Sequence, residues 1–111
     1  MKFRSDLEAL VLAALEGGPQ HGYGIVKAIR SQSDDVLKLG EAQLYPVLHR
    51  MEEAGQIKGA WESTEGKPSR KVYSLTSRGD KELKKRRQEW ESFKTAVEKV
   101  MERPRLARGE A

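Results

Sequence analysis

Gly40-Glu41-Ala42-Gln43-Leu44-Tyr45-Pro46-Val47-Leu48-His49-Arg50-Met51-Glu52-Glu53-Ala54-Gly55 reads as one amphipathic helix with a defined stop. Leu44, Val47, Leu48 and Met51 fall at i, i+3, i+4 and i+7, so they share one apolar stripe. Gln43, Tyr45, His49 and Arg50 occupy the other side. Gly55 supplies the stop, since glycine accepts positive φ after a last helical turn. Pro46 lies inside the span, where it removes one backbone hydrogen bond and is expected to bend the axis. The pattern then changes period. Ile57, Gly59 and Trp61 alternate at period two, as do Tyr73 and Leu75, so residues 57–63 and 70–75 read as paired strands. Thr64-Glu65-Gly66-Lys67-Pro68-Ser69 between them is a run of turn formers.

Working back from this stretch, Gln20-His21-Gly22-Tyr23 opens a second helix whose apolar stripe is Ile25, Val26 and Ile29. Gly22 and Gly24 weaken its first turns by roughly 1 kcal/mol each against Ala, which predicts that close packing demands their small size. Ahead of it, Ser5-Asp6-Leu7-Glu8 matches a capping box, followed by Leu7, Leu10, Val11, Ala14 and Leu15 at helical spacing. Gly17-Gly18-Pro19 ends that first helix. Working forward, Thr76 caps a last helix over residues 77–103, roughly 39 Å at the standard rise and longer than a domain this small can cover. Leu83, Trp90 and Val97 repeat every seven residues, with Phe93, Val100 and Met101 beside them. Residues 104–111 read as a frayed basic tail. The fold class is therefore α+β: three helices and a two-stranded wing over residues 1–76, the winged form of helix-turn-helix, then a long dimerising helix.

Composition bounds the function. The chain has 111 residues, the size of a single domain, with 21 Lys and Arg against 17 Asp and Glu for a net charge of +4. Only 37% of residues are hydrophobic, so the core is thin and a second copy is expected to stabilise it. Cys is absent, which excludes disulfides and thiolate metal sites. No apolar run approaches a membrane span, and the N-terminal residues lack a signal-peptide h-region. A cytoplasmic protein is the expectation. His21 and His49 stand alone as possible metal ligands, and no third ligand follows at metal spacing. Without a nucleophile, a phosphate loop or a carboxylate pair at work, neither an enzyme nor a cofactor is expected.

Four fragments in order carry a resemblance. Gly18-Pro19-Gln20-His21-Gly22-Tyr23-Gly24-Ile25, Gln43-Leu44-Tyr45-Pro46-Val47-Leu48, Glu52-Glu53-Ala54-Gly55-Gln56-Ile57 and Tyr73-Ser74-Leu75-Thr76-Ser77-Arg78-Gly79 resemble the PadR family of bacterial transcription regulators. The resemblance covers residues 5–100 and implies a dimeric winged-helix repressor. It is to the shorter branch, in which one C-terminal helix dimerises and flat aromatic compounds bind between protomers beside a tryptophan, here Trp90. Two positions depart from the family pattern: Gly40-Glu41 replaces a Ser-Pro pair, and Gly24 replaces an acidic residue.

Each candidate residue carries two readings. Gln43 and His49, with Arg50, face base edges of double-stranded DNA if the third helix enters the major groove, or form a solvated helix face if it does not. Tyr45 suits a phosphate, which sets register without reading sequence. His21 and Tyr23 lie at a helix N-terminus, where unpaired N–H groups attract a phosphate; an N-cap and a half-buried packing residue are the plainer alternatives. Lys67, Arg70 and Lys71 flank the wing tip as phosphate contacts or as guards of an exposed strand edge. The run Lys81, Lys84, Lys85, Arg86 and Arg87 reads as a solvated face paired with Glu82 and Glu89, with a DNA-contacting patch as the alternative. Leu83, Trp90, Phe93, Val97, Val100 and Met101 form the dimer seam, and Trp90 with Phe93 forms the wall of a pocket for an aromatic effector. The partners expected are an inverted-repeat operator, a second copy and such an effector. The rival from another class is a protein-docking winged helix with no DNA role; an acidic or apolar third helix and wing would favour it.

Overall fold

The computed structural model describes residues 3–63 and 65–102. Along them run α1 (Phe3–Glu16), β1 (Gln20–His21), α2 (Gly22–Gln32), α3 (Glu41–Glu53), β2 (Ile57–Glu62), β3 (Arg70–Leu75) and α4 (Ser77–Met101). The apolar stripe of α3 is buried at all four positions, Leu44, Val47, Leu48 and Met51. It closes on Leu7, Val11, Leu12 and Leu15 of α1, Ile25 and Ile29 of α2, and Ile57 and Tyr73 of the wing. Loss of the Pro46 N–H leaves α3 unbroken from Glu41 to Glu53. The result is the α+β winged-helix arrangement with a long C-terminal helix.

The structure departs from the sequence expectations at four places. The described part of the first helix runs from Phe3, so its backbone span already includes Ser5, and Glu8 turns to Arg86 of α4, 3.0 Å away. Gln20 and His21 form a third strand instead of opening α2. They pair antiparallel with β3, Gln20 opposite Tyr73 and His21 opposite Val72, giving the sheet order β1-β3-β2. Two residues carry no alternation to read, so sequence periodicity is silent there. The last helix ends at Met101 with Glu102 as its C-cap. Arg103 and the 104–111 tail fall outside the described residues, as does Thr64 of the wing loop. Finally, Leu83 is 2% exposed and belongs to the core of its own chain. Its side chain has no surface left for a partner, so the seven-residue repeat offers a seam only from Trp90 onward.

The long helix thus has two halves. Its first turns pack on α1, where Arg86 bridges Glu8 and Glu82 at 3.0 and 2.7 Å. Arg87 grips the Glu16 carboxylate through both guanidinium nitrogens, at 2.8 and 2.6 Å. From Arg87 to Glu102 every residue is exposed. A helix that leaves its domain this way keeps its apolar residues wet in a lone protomer.

Candidate nucleic-acid interface

The polar side of α3, the start of α2 and the basic strand of the wing border one groove of about 520 Å³. Tyr45 of α3 crosses to α2, where a Cβ on Gly22 would meet its hydroxyl at 2.6 Å. That close approach explains the small residue expected there. A Cβ on Gly24 would meet the flexible side chain of Gln20 at 3.0 Å and the His21 ring at an ordinary 3.6 Å.

His21 sits where α2 begins and caps it: Nδ1 accepts the Gly24 N–H at 3.1 Å. With Nδ1 accepting, the neutral ring carries its proton on Nε2. Nε2 lies 3.2 Å from Nη1 of Arg70, which reaches over from β3. In that tautomer both atoms are donors, and neither supplies the other with an acceptor. An oxygen anion placed between them satisfies both. Tyr23 is half exposed in the same first turn, with the Lys27 ammonium 5.5 Å from its ring centre.

On α3, Gln43, Tyr45, His49 and Arg50 are all exposed, as the helical spacing predicted. Two of them are already engaged within the chain. Gln43 Oε1 accepts the Gly40 N–H at 3.2 Å, a capping contact. His49 Nε2 lies 2.6 Å from the Glu53 carboxylate one turn on. No hydrogen bond or ion pair holds the Arg50 side chain among the described residues.

On the wing, Lys67 is exposed at the tip and Arg70 at the strand edge. Lys71 is not a free cation. Its ammonium lies 2.8 Å from Glu52 Oε1 of α3, with both side chains 30% exposed. The hydrogen bond from Lys71 holds the Glu52 carboxyl below its ordinary value, and the same bond raises Lys71. Sequence reasoning passed over Trp61 as a groove residue. It is 71% exposed and lines the groove, because β2 runs outward past the core after Ile57. Its period-two position was visible, but not that the strand leaves the body there. The basic run of α4 does not belong to this surface. Arg86 and Arg87 tie α4 to α1, and Lys84 pairs with Asp80 at 3.1 Å.

At the far end of α4, Trp90 and Phe93 are each 43% exposed, with ring centres 6.3 Å apart and planes tilted by 38°. Val97, Val100 and Met101 continue this exposed apolar face.

Residues 11–85 match the profile of the transcriptional regulator PadR-like family. The chain belongs to that family. Like other PadR-like proteins it is a regulator and not an enzyme. A transcriptional regulator from Clostridium thermocellum is 31% identical with a TM-score of 0.79, covering 86% of this chain and 90% of its own. A PadR family regulator from Eggerthella lenta is 31% identical at a TM-score of 0.75, covering 91% and 86%. Bacillus subtilis PadR, solved in complex with operator DNA, is 26% identical at a TM-score of 0.66 and matches 72% of this chain but 45% of its own. No helix among the described residues is long and apolar enough to cross a membrane.

Proposed function

We propose that this PadR-like regulator binds double-stranded operator DNA as a two-fold dimer and represses transcription by covering a promoter. The observation that carries the reading is the donor pair at the groove. His21 Nε2–H and the Arg70 guanidinium face each other at 3.2 Å beside the first turn of α2, with the exposed side of α3 on one flank and the wing on the other. A backbone phosphate supplies the missing acceptor and gains from the N-terminal end of the helix. Arg50 then faces base edges, Lys67 adds a phosphate contact at the wing tip, and Tyr23 and Tyr45 line the path of the backbone. Bacillus subtilis PadR, with the same fold, was solved in complex with operator DNA, which supports DNA as the partner. The winged-helix part up to Thr76 acts as the DNA-binding unit and α4, Ser77–Met101, as the dimerising helix. A two-fold dimer calls for an inverted-repeat operator with half-sites about one helical turn apart.

Salt titration tests this. If each protomer neutralises about four phosphates, log K falls with log salt at a slope near −7. A binding constant indifferent to salt between about 50 and 200 mM refutes DNA as the partner. Arg70→Ala should flatten the slope by about two, one contact per protomer. The exposed Trp90–Phe93 pair favours a second element, an aromatic effector held between the two α4 helices. In a Trp61→Phe variant Trp90 is the sole indole. Flat cationic dyes should quench it and weaken DNA binding, and dimers unquenched at about 100-fold dye excess rule the effector out.

A further inference from the structure

We infer that Lys71 is a positioning residue and not a DNA contact: with Glu52 and Gly59 it forms a strut that fixes the wing on the recognition helix α3. This rests on the DNA-binding reading above and concerns how the two contacting elements keep their relative placement.

The geometry is specific. Lys71 and Tyr73 lie on one face of β3, and their register partners on β2 are Trp61 and Gly59. Lys71 does not extend outward from that face. Its stem folds back over Gly59 and delivers Nζ to Glu52 Oε1 at 2.8 Å. The second carboxylate oxygen, Oε2, accepts the Gly59 backbone N–H at 3.3 Å. The ammonium also lies 5.5 Å from the centre of the Tyr73 ring, which is itself in the core. One carboxylate near the end of α3 therefore holds both wing strands, β2 through a backbone N–H and β3 through a lysine. The missing side chain at position 59 makes this possible: a Cβ there would overlap Lys71 Cε and stand 3.2 Å from Glu52 Oε2.

β1 reaches β3 only at Val72 and Tyr73, so the wing beyond them is a two-stranded ribbon, and ribbons of this kind are weakly stable alone. A strut from α3 limits the swing. It orders the wing before DNA arrives and lowers the ordering cost at binding. The phosphate contacts at Arg70 and Lys67 lie beyond the strut and depend on it for placement.

Three variants separate a strut from a direct contact, read by DNA affinity and its salt slope. Glu52→Gln frees Lys71 and adds one positive charge. Gly59→Ala displaces the lysine stem with no change of charge. Lys71→Met removes the cation and keeps the stem. For a strut, each variant lowers affinity about 3- to 10-fold, the scale of a partly exposed ion pair and the placement it secures. The salt slope stays at the wild-type value, and Glu52→Gln/Lys71→Met is no worse than either single change. Lys71→Arg, which can still reach Glu52, keeps wild-type affinity. For a direct phosphate contact, Glu52→Gln and Gly59→Ala tighten binding or leave it unchanged. Lys71→Met then flattens the slope by about one per protomer. Either of those results overturns the strut. Circular dichroism melts show which variants fold, and Lys71→Arg with Glu52→Gln decide the matter if Lys71→Met does not. Salt-dependent binding by the wild type keeps the two questions apart. Its absence removes the DNA reading itself, whereas its presence with a tighter Glu52→Gln removes only the strut.

Discussion

Trp90→Ala should dissociate the dimer proposed above. Trp90 retains 43% of its surface in the lone protomer. A tryptophan offers up to about 250 Å² for burial, so roughly 100 Å² per copy waits for a partner. At about 25 cal/mol per Å² that area contributes about 2.5 kcal/mol per protomer and about 5 kcal/mol across the two-fold axis. Truncation leaves a small methyl contact, so a loss of about 4 kcal/mol is expected, close to a thousandfold in the dimer dissociation constant. Sedimentation velocity across nanomolar to high-micromolar concentration reads this directly. Wild type should hold a dimer mass where the variant has become a monomer. Thr95→Ala, on the opposite side of α4, should leave the mass unchanged. Far-ultraviolet circular dichroism should show the winged-helix part intact in both, because no residue from Arg87 to Glu102 is buried in the protomer. A monomeric wild type at high-micromolar concentration refutes the reasoning. So does a Trp90→Ala dimer within about threefold of wild-type affinity, since the exposed indole would then contribute almost nothing at the seam.

Gly79 packs its bare Cα against the Gln56 carbonyl, with the carbonyl carbon 3.0 Å from where a Cβ would sit. Gly79→Ala should therefore cost about 2–4 kcal/mol despite its better helix propensity. It should lower the melting temperature by about 10 °C or more, while Gly17→Ala, with open space around it, shifts it little. Acid should loosen the Glu52–Lys71 pair. The folded carboxyl lies below its ordinary 4.5, so its stabilisation is complete above that value and is lost as pH falls through the lower folded value. Thermal melts taken between about pH 6 and pH 3 should fall less steeply for Glu52→Gln than for wild type. Gln43→Ala should relax base preference by less than the roughly 1–3 kcal/mol of a free bidentate reader. Gln43 must first release the Gly40 N–H, so competition binding against single-substituted operators should show a small specificity loss, and thermal melts a small loss of stability.

Most of the fold was legible in period alone. Leu44, Val47, Leu48 and Met51 are spaced so that one helix face buries all four, and the change to period two at Ile57 separates helix from wing without ambiguity. What period did not show is whatever depends on contact across the chain. Gln20 and His21 are a strand only because β3 passes beside them. Leu83 sits in the seven-residue repeat with Trp90 and Val97, yet α1 covers the first turns of α4 and turns Leu83 inward. A repeat gives the angular position of a residue on its helix, and the neighbour that meets it depends on where the helix leaves the domain.

The site shows the same division more sharply. Spacing placed Gln43, Tyr45, His49 and Arg50 on the outer side of α3 correctly, because exposure follows from helix geometry. It did not show that Gln43, His49 and Lys71 are held by Gly40, Glu53 and Glu52. Charge is written in the sequence, but its availability is a property of pairs. The five bases between Lys81 and Arg87 look like the densest cationic patch in the chain. Arg86 and Arg87 are neutralised against α1 and fix the angle at which α4 departs. On the groove side Arg50, Lys67 and the Arg70–His21 donor pair are fewer, but none of them meets a carboxylate among the described residues. A net charge of +4 therefore says little about which cations are available to an anion. Some of its cations hold helices and wing in place, as Lys71, Arg86 and Arg87 do, while Arg50, Lys67 and Arg70 stay clear of carboxylates on the side of α3 and the wing.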